Sequence, residues 1–107
     1  MKIDIRGDQV HLSPAIKKYI EEKLSFLSRF IKRFETKGEL LMSVEIAHVT
    51  KHHKHGEVFF AGARIRVPGK LLEATHFDKG VRDAVDALRD KMKTVIQKYK
   101  GKKIAVR

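Results

Sequence analysis

The sequence predicts an α+β domain of order β-α-β-β-β-α, a four-stranded sheet carrying two roughly parallel helices on one face. Three observations predict it. Residues 13–34 and 78–100 each place apolar side chains at i, i+3/i+4 and i+7, the stripe of a helix lying on a core. Four other stretches alternate apolar and polar residues, the period of a half-buried strand. The last three of these are joined by short polar connections, which favours an antiparallel meander. The first reaches the second through a helix and adds in parallel. Two helices with one apolar stripe each are buried most economically on the same face of such a sheet.

The elements follow in order. Met1 to Arg6 alternates, with Ile3 and Ile5 on one side, and Gly7-Asp8 supplies turn chemistry. Ser13-Pro14 starts the first helix, serine as N-cap and proline where no hydrogen bond is lost. Ile16, Ile20, Leu24, Leu27, Ile31 and Phe34 run down one face, widened by Tyr19, Phe26 and Phe30, until Lys37-Gly38 breaks the helix. Leu40 to Val49 is a strand with Met42, Val44 and Ile46 inward. Thr50 to Gly56 connects it to a long strand, Glu57 to Val67, in which Gly62 marks a bulge. Phe60, Gly62, Arg64 and Arg66 share the outer face with Ser43, Glu45 and Ala47, a face without a stacking set of aromatic residues. After the Pro68-Gly69 turn, Lys70 to Thr75 forms the last strand. Asp78 caps the final helix, which carries Val81, Val85, Leu88, Met92, Val95, Ile96 and Tyr99 inward and stops at Gly101. The domain is expected over 1–101, with a short basic tail over 102–107. Tyr19 and Tyr99 read as core-edge residues.

Charge is the strongest functional signal. The 107 residues carry a formal net charge of +11, which calls for a polyanionic partner, since self-repulsion opposes folding. Both helices sort their charges. Glu21 and Glu22 precede Arg29, Lys32 and Arg33. Asp78, Asp83, Asp86 and Asp90 precede an acid-free run from Lys91. The helix dipole accounts for part of this order. It does not account for Lys102, Lys103 and Arg107, beyond the expected helix end. With the helices side by side, Lys18, Arg29, Lys32 and Arg33 join Arg89, Lys91, Lys93, Lys98 and Lys100 in one basic face suited to the backbone of a folded RNA.

Other chemistry finds little support. The absence of cysteine excludes disulfides and thiolate metal sites and fits a cytoplasmic setting. No apolar run has the length of a membrane span. His52, His53 and His55 lie among lysines, a solvated cationic turn before a metal site or nuclease centre, and His11, His48 and His76 read as surface or core-edge groups. No phosphate loop, nucleophile–base pair or cofactor motif is present, so no enzyme, cofactor, metal or small-molecule substrate is expected.

LSPAIKKYIEEKLSFLSRF, Leu12 to Phe30, resembles the first helix of the ribosome hibernation-promoting factors and ribosome-associated translation inhibitors. MKIDIRGDQV resembles their opening strand, and AVDALRDKMKTVIQKYK, Ala84 to Lys100, their last helix. The chain departs from that pattern at Gly80 and Arg82, where the family carries an acid and a tyrosine, at Thr94, usually basic, and at Phe26, usually lysine. The resemblance implies the same fold and a role. Such a protein binds the small ribosomal subunit against 16S rRNA, occupies the channel of mRNA and tRNA, and silences idle ribosomes. It places Lys18, Lys23, Arg29, Lys91, Lys98 and Lys100 at rRNA-facing positions. It also implies a short form, without the dimerisation domain of long members and monomeric when free.

The α-β-β-β-α order of a double-stranded-RNA-binding domain is contained in this one, so the fold is double-stranded-RNA-binding-domain-like and general binding of structured RNA is the alternative function. Against it, the last helix opens on DKGVRDAVD, without that module's lysine cluster. A membrane-surface role would need apolar stripes that the core already claims.

Overall fold

The computed structural model describes residues 1–36, 38–49 and 58–105, the last four of these as backbone. Strands β1 (Lys2–Asp8), β2 (Leu41–Val49), β3 (Val58–Val67) and β4 (Lys70–Asp78) form one sheet in the order β1-β2-β3-β4. β1 runs parallel to β2, Lys2 opposite Leu41 and Asp8 opposite Ala47. β2–β3 and β3–β4 are antiparallel, with Val44 opposite Ala63 and Ala63 opposite Ala74. Helices α1 (Pro14–Ser25), α2 (Ser28–Ile31) and α3 (Val81–Ala105) complete the fold, with a 3-10 turn at Lys32–Phe34.

Inward-facing Met42, Val44, Ile46, Ala61, Ala63, Ile65 and Leu72 share one buried cluster with Ile20, Leu24, Leu27 and Ile31 from the first helical segments. Ala84, Val85, Leu88, Met92, Ile96 and Tyr99 of α3 belong to the same cluster, so all helices lie on one sheet face. α3 packs on β3 and β4. Small residues there, Ala61, Ala63 and Ala74, let the helix backbone approach the sheet. Among the described residues no polar or charged side chain is buried in the core.

Several sequence expectations are corrected. The first helix is not continuous to Phe34. It tightens at Phe26 and Leu27, where Leu27 N–H donates to Leu24 O and Phe30 N–H to Leu27 O, both three residues back. The Ser25 hydroxyl also donates to Glu22 O at 3.2 Å, a local bond that bends helices. The core stripe survives because the spacing of Leu24, Leu27 and Ile31 keeps all three inward.

β1 runs through Gly7 to Asp8, and the turn falls on Gln9, at φ 58°. Gly7 is required by close approach: a Cβ there would lie 2.8 Å from Val10 O. β4 continues past Thr75 to Asp78, because the alternation of Leu72, Ala74 and His76 persists. Asp78 therefore ends a strand instead of capping the helix. Its carboxylate accepts from Lys79 N–H at 2.8 Å and meets His76 Nε2 at 3.1 Å, and the carbonyl of Gly80 opens α3 by accepting from Ala84 N–H.

α3 passes through Gly101 to Ala105. A helical glycine costs about 1 kcal/mol relative to alanine and does not end the helix here. Gly62 is not a bulge, since the pairing of β3 with both neighbours runs through it without a slip. Of the loop Thr50 to Gly56, none lies within the described residues; nor do Lys37, Val106 and Arg107.

Glu35 ties the end of the helical segments to β2. Its carboxylate accepts from Leu40 N–H at 2.7 Å and lies 3.3 Å from the Met1 ammonium. The Leu40 bond above all, then the ammonium and Lys32, hold its carboxyl below the ordinary value of 4.5. A lowered carboxyl pKa stabilises the fold above the ordinary value and ceases to do so as pH falls through the lowered one. Glu35→Gln is therefore expected to lower the thermal midpoint at pH 7, with the gap closing below about pH 4.5 in melts across an acid series. A gap that persists at low pH would contradict this.

Candidate nucleic-acid interface

The seam where α1 and α2 meet α3 gathers a row of cations over aromatic rings. Tyr19, Phe26, Phe30 and Phe34 follow one another along the flank of the first segments beside the core stripe. On α3, Arg82, Asp86, Arg89, Lys93 and Lys100 recur at helical spacing on a single flank. The two rows interlock.

At one end the Tyr19 hydroxyl donates to Asp86 Oδ1 at 2.6 Å. Lys23 Nζ stands 3.7 Å from the same oxygen and 5.5 Å from the Tyr19 ring centre, and the Arg82 guanidinium 5.2 Å from that ring. The bond to Asp86, then burial, pushes the Tyr19 phenol above its ordinary value, so it stays neutral and keeps donating.

In the middle, Phe26 has Arg29 at 4.9 Å, Arg89 at 5.4 Å and Lys93 at 5.8 Å from its ring centre. Phe30 meets Phe26 edge-on at 5.3 Å and takes Lys93 at 5.3 Å and Lys100 at 5.7 Å. At the far end Arg33 lies 5.7 Å from Phe34, which meets Tyr99 edge-on at 4.9 Å. The Tyr99 hydroxyl donates to Pro68 O at 2.9 Å, which fixes this end of α3 to the β3–β4 turn. Burial raises the Tyr99 phenol as well.

A ring face attracts a cation without neutralising it, unlike a carboxylate. Asp86 and Asp90 compensate the first half of the seam, Asp90 lying 3.3 Å from Arg89. Among the described residues no carboxylate pairs with Arg29, Arg33, Lys93 or Lys100. These four are thus cations positioned by aromatic rings with no carboxylate to offset them, an arrangement able to bind phosphates with little ordering cost. The rings of the seam, Tyr19, Phe26, Phe30 and Phe34, are half-buried, each with at least one cation within 5.7 Å of its centre.

Of the residues singled out by sequence, Lys23, Arg29, Arg33, Arg89, Lys93 and Lys100 come together here. Lys18 is exposed on α1 and makes no ion pair or ring contact among the described residues. Lys32 is exposed in the 3-10 turn, near Glu35. Lys91 turns to the opposite flank of α3, where its Nζ donates to Thr75 O of β4 at 3.1 Å. Lys98, two turns later, shares that flank. Lys102 and Lys103 belong to the last turns of α3, their side chains outside the described set.

Sequence reasoning missed Arg82 and the role of the rings. The signal was the recurrence of Arg82, Arg89, Lys93 and Lys100 at sevens and fours, matched by Tyr19, Phe26, Phe30 and Phe34 across the seam.

Among the described residues no group of three or more histidine and carboxylate side chains is placed to hold a metal ion, and no helix is long and apolar enough to cross a membrane. His52, His53 and His55 lie outside the described residues.

Comparison with known proteins agrees with this architecture. The family model described as sigma 54 modulation protein / S30EA ribosomal protein matches residues 3–104. A protein named ribosome hibernation promoting factor from Azotobacter vinelandii is 31% identical over 104 residues, covering 97% of this chain and 87% of that one. The ribosome hibernation promotion factor of Picosynechococcus sp. is 27% identical over 103 residues, and the chain spans 50% of its length. Among solved structures, the N-terminal domain of Thermus thermophilus Protein Y superposes with a TM-score of 0.73 at 25% identity, covering 92% of this chain and 99% of that one. A ribosomal subunit interface protein from Coxiella burnetii, at TM-score 0.70 and 24% identity over 94% of this chain and 99% of that one, shares the fold.

Proposed function

The chain belongs to the sigma 54 modulation protein / S30EA ribosomal protein family, and from that membership we propose that it is a ribosome hibernation factor. It binds the small ribosomal subunit on 16S rRNA, in the channel of mRNA and tRNA, and silences translation in idle cytoplasmic ribosomes. The observation that carries this reading is the cation–aromatic seam, where Arg29, Arg33, Lys93 and Lys100 keep their charge uncompensated on one side of the molecule.

The mechanism needs no bond to be made or broken. Phosphates of a folded rRNA displace their counterions onto the seam, and the bulk of the domain excludes mRNA and tRNA from the space it fills. Seam contacts of this kind position the protein without reading bases. Specificity then comes from the shape of the channel, and the free protein is a monomer that needs no cofactor.

The same absence of base readout supports a second reading, a general binder of structured RNA. Co-sedimentation separates the two. Saturation near one copy per small subunit, reversed by tRNA, is the expected result. Binding that does not saturate and is matched by any duplex RNA would overturn the proposal in favour of the second reading.

A further inference from the structure

The sheet face away from the helices carries chemistry of the opposite kind. Gly62 lies in the middle of β3, and a concavity of about 410 Å³ opens over it. The ring of Phe60 forms one wall: a Cβ on Gly62 would come within 2.9 Å of it. Phe77 stands next to Phe60, edge-on at 5.3 Å, and is 57% exposed, the most open large apolar side chain among the described residues. It reaches this face because β4 extends beyond Thr75, and it gives the outer face the aromatic pair that the sequence did not suggest.

The charges around the concavity are nearly matched. Arg64 pairs with Glu73 at 3.0 Å and Arg6 with Asp4 at 3.5 Å. Glu45, directly across from Gly62, makes no ion pair among the described residues. The lining therefore holds one more carboxylate than guanidinium, on a chain of net charge +11. Such a lining, unlike the seam, offers phosphate no excess of positive charge. An aromatic wall, a floor without a side chain and an unpaired carboxylate suit a planar cation instead. A guanidinium stacks on a ring and donates its N–H fork to a carboxylate.

We propose that this concavity receives an arginine side chain from a partner protein, with Phe60 as the stacking wall, Phe77 bracing that ring at the edge of the concavity, and Glu45 as the acceptor. It lies on the far side of the sheet from the seam, so the chain can engage RNA on one face and a basic protein on the other. The inference does not depend on which RNA the seam takes.

The test titrates the isotope-labelled full chain with a blocked peptide, Gly-Gly-Arg-Gly-Gly, followed by amide resonances. Gly62, Thr75 and Phe77 are expected to shift, with helix amides unchanged. Glu45→Gln and Phe77→Ala, both at exposed positions, each weaken the response by about tenfold, as for loss of one charge-assisted contact. A peptide with citrulline in place of arginine binds as weakly as these variants. No shift with the arginine peptide, equal shifts with citrulline, or an unchanged response in Glu45→Gln would each overturn the proposal. So would shifts at these amides caused by a single-stranded oligonucleotide and not by the peptide, which would make the face a base-stacking surface.

Discussion

Reversal of Arg89 and Lys93 to glutamate is expected to weaken binding to the small ribosomal subunit by about a hundredfold or more and to lower the salt slope by about two. Lys93 serves two rings and Arg89 one, so the pair sits at the centre of the seam. In the proposed complex each reversal removes one phosphate contact and sets a carboxylate against the rRNA backbone, and like-charge contact at an interface costs several kcal/mol. The control changes charge equally elsewhere: Lys2→Glu with Lys70→Glu, at exposed positions on β1 and at the β3–β4 turn. That pair shifts the long-range field and little else. Affinity and its salt dependence check the prediction, with circular dichroism to confirm the fold. Equal losses in the two double variants would contradict a localised interface.

The largest effect on stability is expected from Leu24→Ala. Leu24 is fully buried, at 0% exposure, within the cluster that joins the helices to the sheet. Truncation loses the transfer free energy and leaves a cavity, roughly 2–5 kcal/mol in all. For a domain of this size the thermal midpoint should fall by on the order of 10 °C or more. Leu41→Ala, at 47% exposure on the outer sheet face, should stay within about 0.5 kcal/mol. Denaturant midpoints of the two variants check this contrast. A small loss at Leu24 would mean that the helices are not held by the stripe that defines them.

The stripes and the alternation made the architecture legible in the sequence. Ile20, Leu24 and Ile31 on the helices, and Met42, Val44 and Ile46 on β2, are buried where their spacing put them. Boundaries were less legible, because local signals competed with patterns that continued past them. Asp78 has the chemistry of a cap, yet the strand alternation carries on to it. Gly101 has the chemistry of a stop, yet the helix runs on to Ala105. The interruption at Phe26 and Leu27 left no mark, since the core spacing is the same on both sides of it.

For the site, charge was legible and its partition was not. Lys91 and Lys93 are two residues apart in sequence. Helical spacing sets them about 200° apart, and the packing of α3 between β4 and α1 decides that one meets Thr75 and the other Phe26 and Phe30. By sequence Phe26 read as widening the apolar face of the first helix and as a departure from the family pattern. In the structure it is the ring on which Arg29, Arg89 and Lys93 converge.

Lysine reactivity of the free and subunit-bound protein, read by acetylation and mass spectrometry, tests the central claim most directly. Burial of the seam against rRNA predicts that Lys23, Lys93 and Lys100 lose reactivity on binding, while Lys2 and Lys70 keep theirs. Protection of Lys2 and Lys70 with the seam lysines unchanged would place the ribosome on the other side of the molecule and contradict it.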